Sequence, residues 1–323
     1  MVAAALLLSP VGPGSPAAQR HASAAPVAAY GSTSATHADA RLAVWDGDRW
    51  RPWWSAADAP ARWMEAHRVV SRSVAWRAAR PGVDVGVLRM SGEGEAWRFN
   101  VVLLRVDPTQ IELALHVDRG RDGRALPWSV ERTPSDAVLA INAGMFDVVG
   151  PWGWIVLDGD ERQAPGRGPL SSAIVIDDAG RLAIIPADSI PAARASRTVR
   201  WAVQSYPTAL ERDGEVPTPL RRAGLGVNVS HRDARLAVAT LRDGRVLLAL
   251  TRFDGLGGAL DEVPFGPTLP EMSAILGALG AQRAVFLDGG ISAQMAVRVT
   301  DERLERWDGL RRVPLGMVGR ARK

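Results

Sequence analysis

Phe286-Leu287-Asp288-Gly289-Gly290-Ile291-Ser292 is the stretch on which the chain turns. Ala284-Val285-Phe286-Leu287 reads as a short buried strand, four apolar residues in a row ahead of turn residues. It stops at an acid, two glycines and, two positions on, a hydroxyl. A strand ending this way fixes a carboxylate on a rigid support, and its glycines let a ligand approach the main chain. Whatever converges on Asp288 therefore matters most.

Immediately upstream, Thr268-Leu269-Pro270-Glu271 opens a helix. Thr268 suits the N-cap and Glu271 the N3 position of a capping box, with Pro270 tolerated in the first turn. Leu269, Met272, Ile275, Leu276 and Leu279 keep helical spacing, and Gly280 supplies the stop. Most of the remaining chain is β. Val83–Leu88, Trp97–Val106 and Ile111–Val117 read as a meander. Ala137–Ile141 is a buried strand that ends in Asn142-Ala143-Gly144-Met145-Phe146-Asp147. Ala173–Ile176 pairs with Leu182–Ile185 across Asp177–Gly180, and Leu236–Leu241 with Val246–Thr251 across Asp243-Gly244. The expected fold class is α+β: a mixed, largely antiparallel β-sheet with a few helices, in one main domain spanning 81–323.

Ahead of it lie two segments of different character. Residues 41–80 hold six tryptophans and are expected to pack on the main domain, with a helix starting after Asp58 and burying Trp63, Met64 and Val70. Residues 1–40 read as a signal-like segment and a disordered linker. Val2–Leu8 is apolar and small residues follow through Ala18, the pattern of a secretory leader, so the expected location is secreted or periplasmic. No later stretch reaches the ~18 apolar residues of a membrane span.

Composition narrows the chemistry. There is no cysteine among the 323 residues, which excludes disulfides, thiolate zinc sites and a thiol nucleophile. The net charge is +4, carried almost wholly by arginines scattered among acids, with one lysine at position 323. No basic stripe or motif marks nucleic acid as a partner. The lone lysine rules out a P-loop, and the five histidines lack a His-Glu-x-x-His spacing. Gly290-Ile291-Ser292-Ala293-Gln294 approximates a nucleophile elbow but lacks its last glycine, and no histidine follows His231.

Two strand ends remain, at Asn142–Asp147 and at Leu287–Ser292, and the elements between them keep a recognisable order. These are Pro151-Trp152-Gly153, then Gln204, Pro207 and Leu210 before Asp213-Gly214, then Arg222 with Gly226, then Thr268–Glu271. In that order, over roughly residues 83–295, the chain resembles the phosphodiester glycosidase family. It departs from the family pattern in three elements, at four positions. Ala143 and Ile291 stand where the family has glycine, Ala293 replaces a second serine, and the element at Arg222 lacks its usual threonine. A branched Ile291 is expected to narrow the pocket or restrict the backbone.

The resemblance implies an exported hydrolase cleaving the anomeric bond of a sugar-1-phosphodiester, with a carbohydrate or glycan phosphodiester as partner. Phosphate leaves readily and needs charge stabilisation, which an arginine provides by bidentate contact; Arg222 is the candidate. The oxocarbenium-like sugar needs a carboxylate. Asp288 is the first choice and Glu271 the second, although the capping box alone accounts for Glu271. Asn142, Gly144, Asp147, Gln204 and Ser292 are candidate substrate contacts, and the amides of Gly289 and Gly290 a candidate anion nest. No cofactor is identified. Two alternatives stand beside this reading: a non-catalytic glycan-binding domain on the same fold, and a hydrolase using a divalent metal at Asp147 and Asp288.

Overall fold

Alternation along Ala281–Phe286 decides which layers this strand touches. Ala284 and Phe286 fall in one hydrophobic core, Val285 and Leu287 in another. The strand is thus buried on both faces, which is why it reads as an unbroken apolar run. The computed structural model describes residues 40–92, 98–147, 150–255 and 260–322, all within one unit, Ala35–Lys323.

The strand belongs to a nine-stranded sheet. Its order is Thr208–Leu210, Ala281–Phe286, Leu236–Leu241, Val246–Phe253, Arg98–Val106, Val83–Ser91, Arg41–Trp45 and Trp50–Ser55, with Ala75–Arg80 also paired to Val83–Ser91. Neighbours are antiparallel throughout, so the N-terminal end of Leu236–Leu241 lies beside the C-terminal end of Ala281–Phe286, in register Ala237 to Phe286. Residues 41–80 supply three of these strands.

The helix Leu269–Ala278 packs on one face. Its capping box forms as expected: the Thr268 hydroxyl accepts the Glu271 amide, and the Glu271 carboxylate accepts the Thr268 amide. Met272, Ile275 and Leu276 pack with Leu103, Ala239, Ala249 and Phe286. Every residue of the helix is buried, Glu271 included.

Two five-stranded sheets cover the opposite face. One contains Ile155–Leu157, Ser172–Asp177 and Val199–Ser205; the other contains Ile111–His116, Leu139–Asn142, Met295–Arg298 and Gly316–Ala321. Ile141, Met295 and Met317 from the latter, and Ile155, Ile174 and Val203 from the former, close on Val238, Leu248, Val285 and Leu287. The α+β class stands: mostly antiparallel sheet with few helices.

The helix expected after Asp58 is not formed. The helical turns begin at Arg68 and run Arg68–Ser73. Residues before it are drawn into long-range pairing instead: Arg62 bridges Glu215, and the Trp63 amide donates to Gly214 O at 2.9 Å. Trp63 and Val70 are buried as expected, whereas Met64 is exposed. The leader-like residues 2–18 lie outside the described residues.

Candidate active site

Two sheets meet at Asp288. The Leu287 amide donates to Leu236 O at 2.9 Å, the last rung of the long sheet, and the Asp288 amide turns to Gly144 O at 3.0 Å. Asn142, at the end of its own strand, closes the junction. Its Nδ2 donates to Asp288 O at 2.8 Å, and its Oδ1 accepts the Gln294 amide at 3.0 Å. Ser205 Oγ donates to Phe286 O at 2.7 Å from a third strand end. The Asp288 carboxylate is therefore aimed by main-chain hydrogen bonds on both sides.

The glycines after it are required by close approach. A Cβ on Gly289 would lie 2.5 Å from Ala234 O, and one on Gly290, which has φ +58°, would lie 2.8 Å from Asp233 Oδ2. The Gly290 amide donates to Ala234 O at 2.8 Å. It is therefore engaged in the strand junction, and the expected anion nest lacks that donor. Ser292 is buried, and its hydroxyl favours the ionised form of the Asp288 carboxyl.

The departures at Ala143, Ile291 and Ala293 sit without strain. Ala143 and Ala293 are buried in the same core as Leu287. Ile291 lacks a left-handed φ, so the expected backbone restriction does not arise. Its side chain is 45 % exposed, beside the site.

Burial raises the Asp288 pKa to about 6. The Asp233 charge adds to this, while Ser292 and Arg311 oppose it. Burial likewise raises Asp233, opposed by Arg235, His231 and the Ala234 amide. Arg311 lies over the Phe146 ring, 4.7 Å from its centroid, and its amide donates to Ile291 O at 3.0 Å.

Glu271 is one residue removed from this group. Both its oxygens hold the Arg232 guanidinium, at 2.7 and 2.8 Å, and one also accepts the Thr268 amide. It is 1 % exposed. Its carboxylate thus clamps the segment 231–235 against the helix start. Arg235 adds to the clamp by donating to Pro267 O and His231 O.

Of the remaining candidates, Gly144 lies at the junction itself. Gly144, with φ +71°, packs on Val203 and presents its carbonyl to Asp288. Gln204 has main-chain partners on both ends of its amide: Oε1 accepts from Trp154 and Gly166, and Nε2 donates to Leu170 O and Gly166 O. It ties down the loop carrying Pro151–Gly153. Asp147 closes a turn through the Gly150 amide. Arg222 is exposed, on a segment anchored by Tyr206 Oη donating to Gly226 O at 2.6 Å. Among the described residues, no three His, Asp or Glu side chains form a group that could hold a metal ion.

Sequence reasoning missed His231, Arg232, Asp233 and Arg311. Residues 231–235 reach the site because they precede a strand antiparallel to the one ending at Asp288. Arg311 arrives from a loop beyond the resembling region, held by buried Arg252, which donates to both Ala293 O and Asp308 O at 2.9 Å.

A family model for phosphodiester glycosidases matches residues 135–318, more than half of the chain and all of this junction. The chain belongs to the phosphodiester glycosidase family. Among solved structures it is similar to the catalytic domain of zebrafish N-acetylglucosamine-1-phosphodiester alpha-N-acetylglucosaminidase, at 17 % identity and a TM-score of 0.58, over 80 % of this chain and 87 % of that one. It is similar also to a hypothetical protein from Synechocystis, at 17 % identity and a TM-score of 0.53, over 82 % and 65 % of the two chains. At these identities the likeness shows a shared fold. No curated protein matches. Among the described residues, no helix is long and apolar enough to cross a membrane.

Proposed function

We propose that this phosphodiester glycosidase family member is an exported hydrolase that cleaves the glycosidic bond of a sugar-1-phosphodiester. The observation that carries the reading is the Asp288 carboxylate, held rigidly at the meeting of two sheets, part-buried, and flanked by Arg311. An ionised carboxylate there stabilises positive charge developing on the anomeric carbon. A guanidinium beside it accepts the phosphate as it leaves, by charge-assisted hydrogen bonds that strengthen as charge builds on the departing oxygen. Arg311 fills that role, and Arg222 is a second cation for the distal phosphate oxygens. Ser292 favours the ionised form of the Asp288 carboxyl. Export rests on the apolar run Val2–Leu8 and the small residues that follow it.

The test is turnover of a panel of sugar-1-phosphodiesters, including a nucleoside-diphosphate sugar and an alkyl sugar-1-phosphate, by the purified chain. Free sugar and phosphate monoester are expected, and Asp288→Asn is expected to abolish their release while remaining folded. Binding of the panel without turnover would instead favour a glycan-binding module. Activity lost on chelation and restored by added metal would favour metal assistance.

A further inference from the structure

We propose that Asp233 is a second catalytic carboxylate of this site, taking the proton from the attacking water, and that His231 passes that proton to solvent. The inference rests on the hydrolase reading above.

Asp233 sits against the turn that carries Asp288. A Cβ at Gly290 would lie 2.8 and 3.2 Å from its two carboxylate oxygens. Oδ1 accepts the Ala234 amide at 2.9 Å, which sets the plane of the group. Oδ2 is then left facing His231 Nε2 at 3.4 Å. The imidazole is 59 % exposed and bridges from the carboxylate to bulk water. An ordinary turn-forming Asp explains the bond to Ala234, but not why a second acid is held beside Asp288. Like charges at close range oppose each other's ionisation, so the pairing is unfavourable to the fold.

The groups facing the two acids are few. Asp288 feels the Asp233 charge, opposed by the Arg311 charge and the Ser292 hydroxyl. Asp233 faces His231 and Arg235 from its own segment. Arg235 is anchored on Pro267 O, and Arg232 on Glu271, so the segment is rigid on both sides of Asp233. Burial that raises Asp233 also makes it the stronger base.

The step balances without a further reactant. Water oxygen bonds to the anomeric carbon as the bond from that carbon to the phosphate oxygen breaks. Phosphate leaves with the bonding pair as a monoester. The water proton goes to Asp233 Oδ2, and by way of the His231 imidazole to solvent. Asp288 remains ionised beside the sugar throughout.

Two variants of the full chain test this on the phosphodiester panel. Asp233→Asn is expected to lower kcat by about 10²- to 10⁴-fold with little change in KM, the usual reach of a general base. Added formate or azide is expected to restore part of the rate. His231→Gln, a change at an exposed side chain, is expected to lower kcat and make the rate depend on imidazole buffer concentration. If Asp233→Asn is folded and turns over within a few-fold of the parent while Asp288→Asn is dead, this inference is overturned and the hydrolase reading survives. If Asp233→Asn fails to fold, His231→Gln decides: an unchanged rate without buffer dependence overturns the inference. Absence of turnover by the parent chain across the panel removes both readings together.

Discussion

At the residue scale, Asp288 opposes the fold it serves. A carboxyl whose pKa rises from 3.8 to about 6 on folding holds its proton more tightly in the folded chain. Its contribution to stability is therefore fully present below pH 4 and lost as pH rises through 6. The gap corresponds to about 3 kcal/mol at most. Asp288→Asn is accordingly expected to be more stable than the parent by about 1–3 kcal/mol at pH 8, with the difference vanishing near pH 4. Urea unfolding at the two pH values reads this directly; a variant weaker at pH 8 would mean that Arg311 and Ser292 outweigh burial. The same group gives kcat/KM an expected acid limb near pH 6, because only the ionised carboxylate stabilises the sugar cation. Ile291 acts at this scale too. Its exposed side chain contributes to the rim and not to the core. Ile291→Gly is expected to change stability by no more than about 1 kcal/mol and to alter KM for bulky sugars more than kcat, which steady-state kinetics across the panel resolves.

At the scale of elements, local signals read well and pairing does not. The helix Leu269–Ala278 was legible because its cap, its spacing and its stop are all encoded within a dozen residues. The hairpins across Asp177–Gly180 and Asp243-Gly244 were legible for the same reason. The helix expected at Asp58 was not formed, because Arg62 and Trp63 find partners about 150 residues away, at Glu215 and Gly214. Glu271 shows the limit most clearly. Its capping role is local and visible in the sequence, but its grip on Arg232 depends on a strand pairing that no local pattern reveals. Glu271→Ala removes both the cap and the partner of a part-buried cation. A loss of about 3–5 kcal/mol is expected, measured by denaturant unfolding, with activity falling as residues 231–235 loosen. A variant of parental stability would show that the Arg232 clamp is idle.

At the scale of the whole molecule, the site exists because separate sheets end at one point. Asn142 bridges them, satisfying Asp288 O and the Gln294 amide with one side chain. Asn142→Ala leaves both main-chain groups buried without a partner. The expected destabilisation is about 2–4 kcal/mol, with kcat reduced because Asp288 is no longer aimed. Thermal unfolding and turnover measured on the same sample check both effects, and unchanged kcat would show that the junction holds Asp288 without this bridge.

The sequence by itself determined the β-rich class, the helix and its cap, the buried strand ending at Asp288, and the family order of Asn142, Gln204, Glu271 and Asp288. All of these follow from periodicity, capping and turn chemistry acting over short spans. Only the tertiary structure brought Asp233, His231 and Arg311 to that strand end, and only it turned Gln204 and Asn142 inward onto main-chain partners. The physical reason is register. An antiparallel neighbour sets residue 233 beside residue 290, and a loop held by buried Arg252 sets Arg311 beside Asp288. Neither adjacency has a local sequence signature.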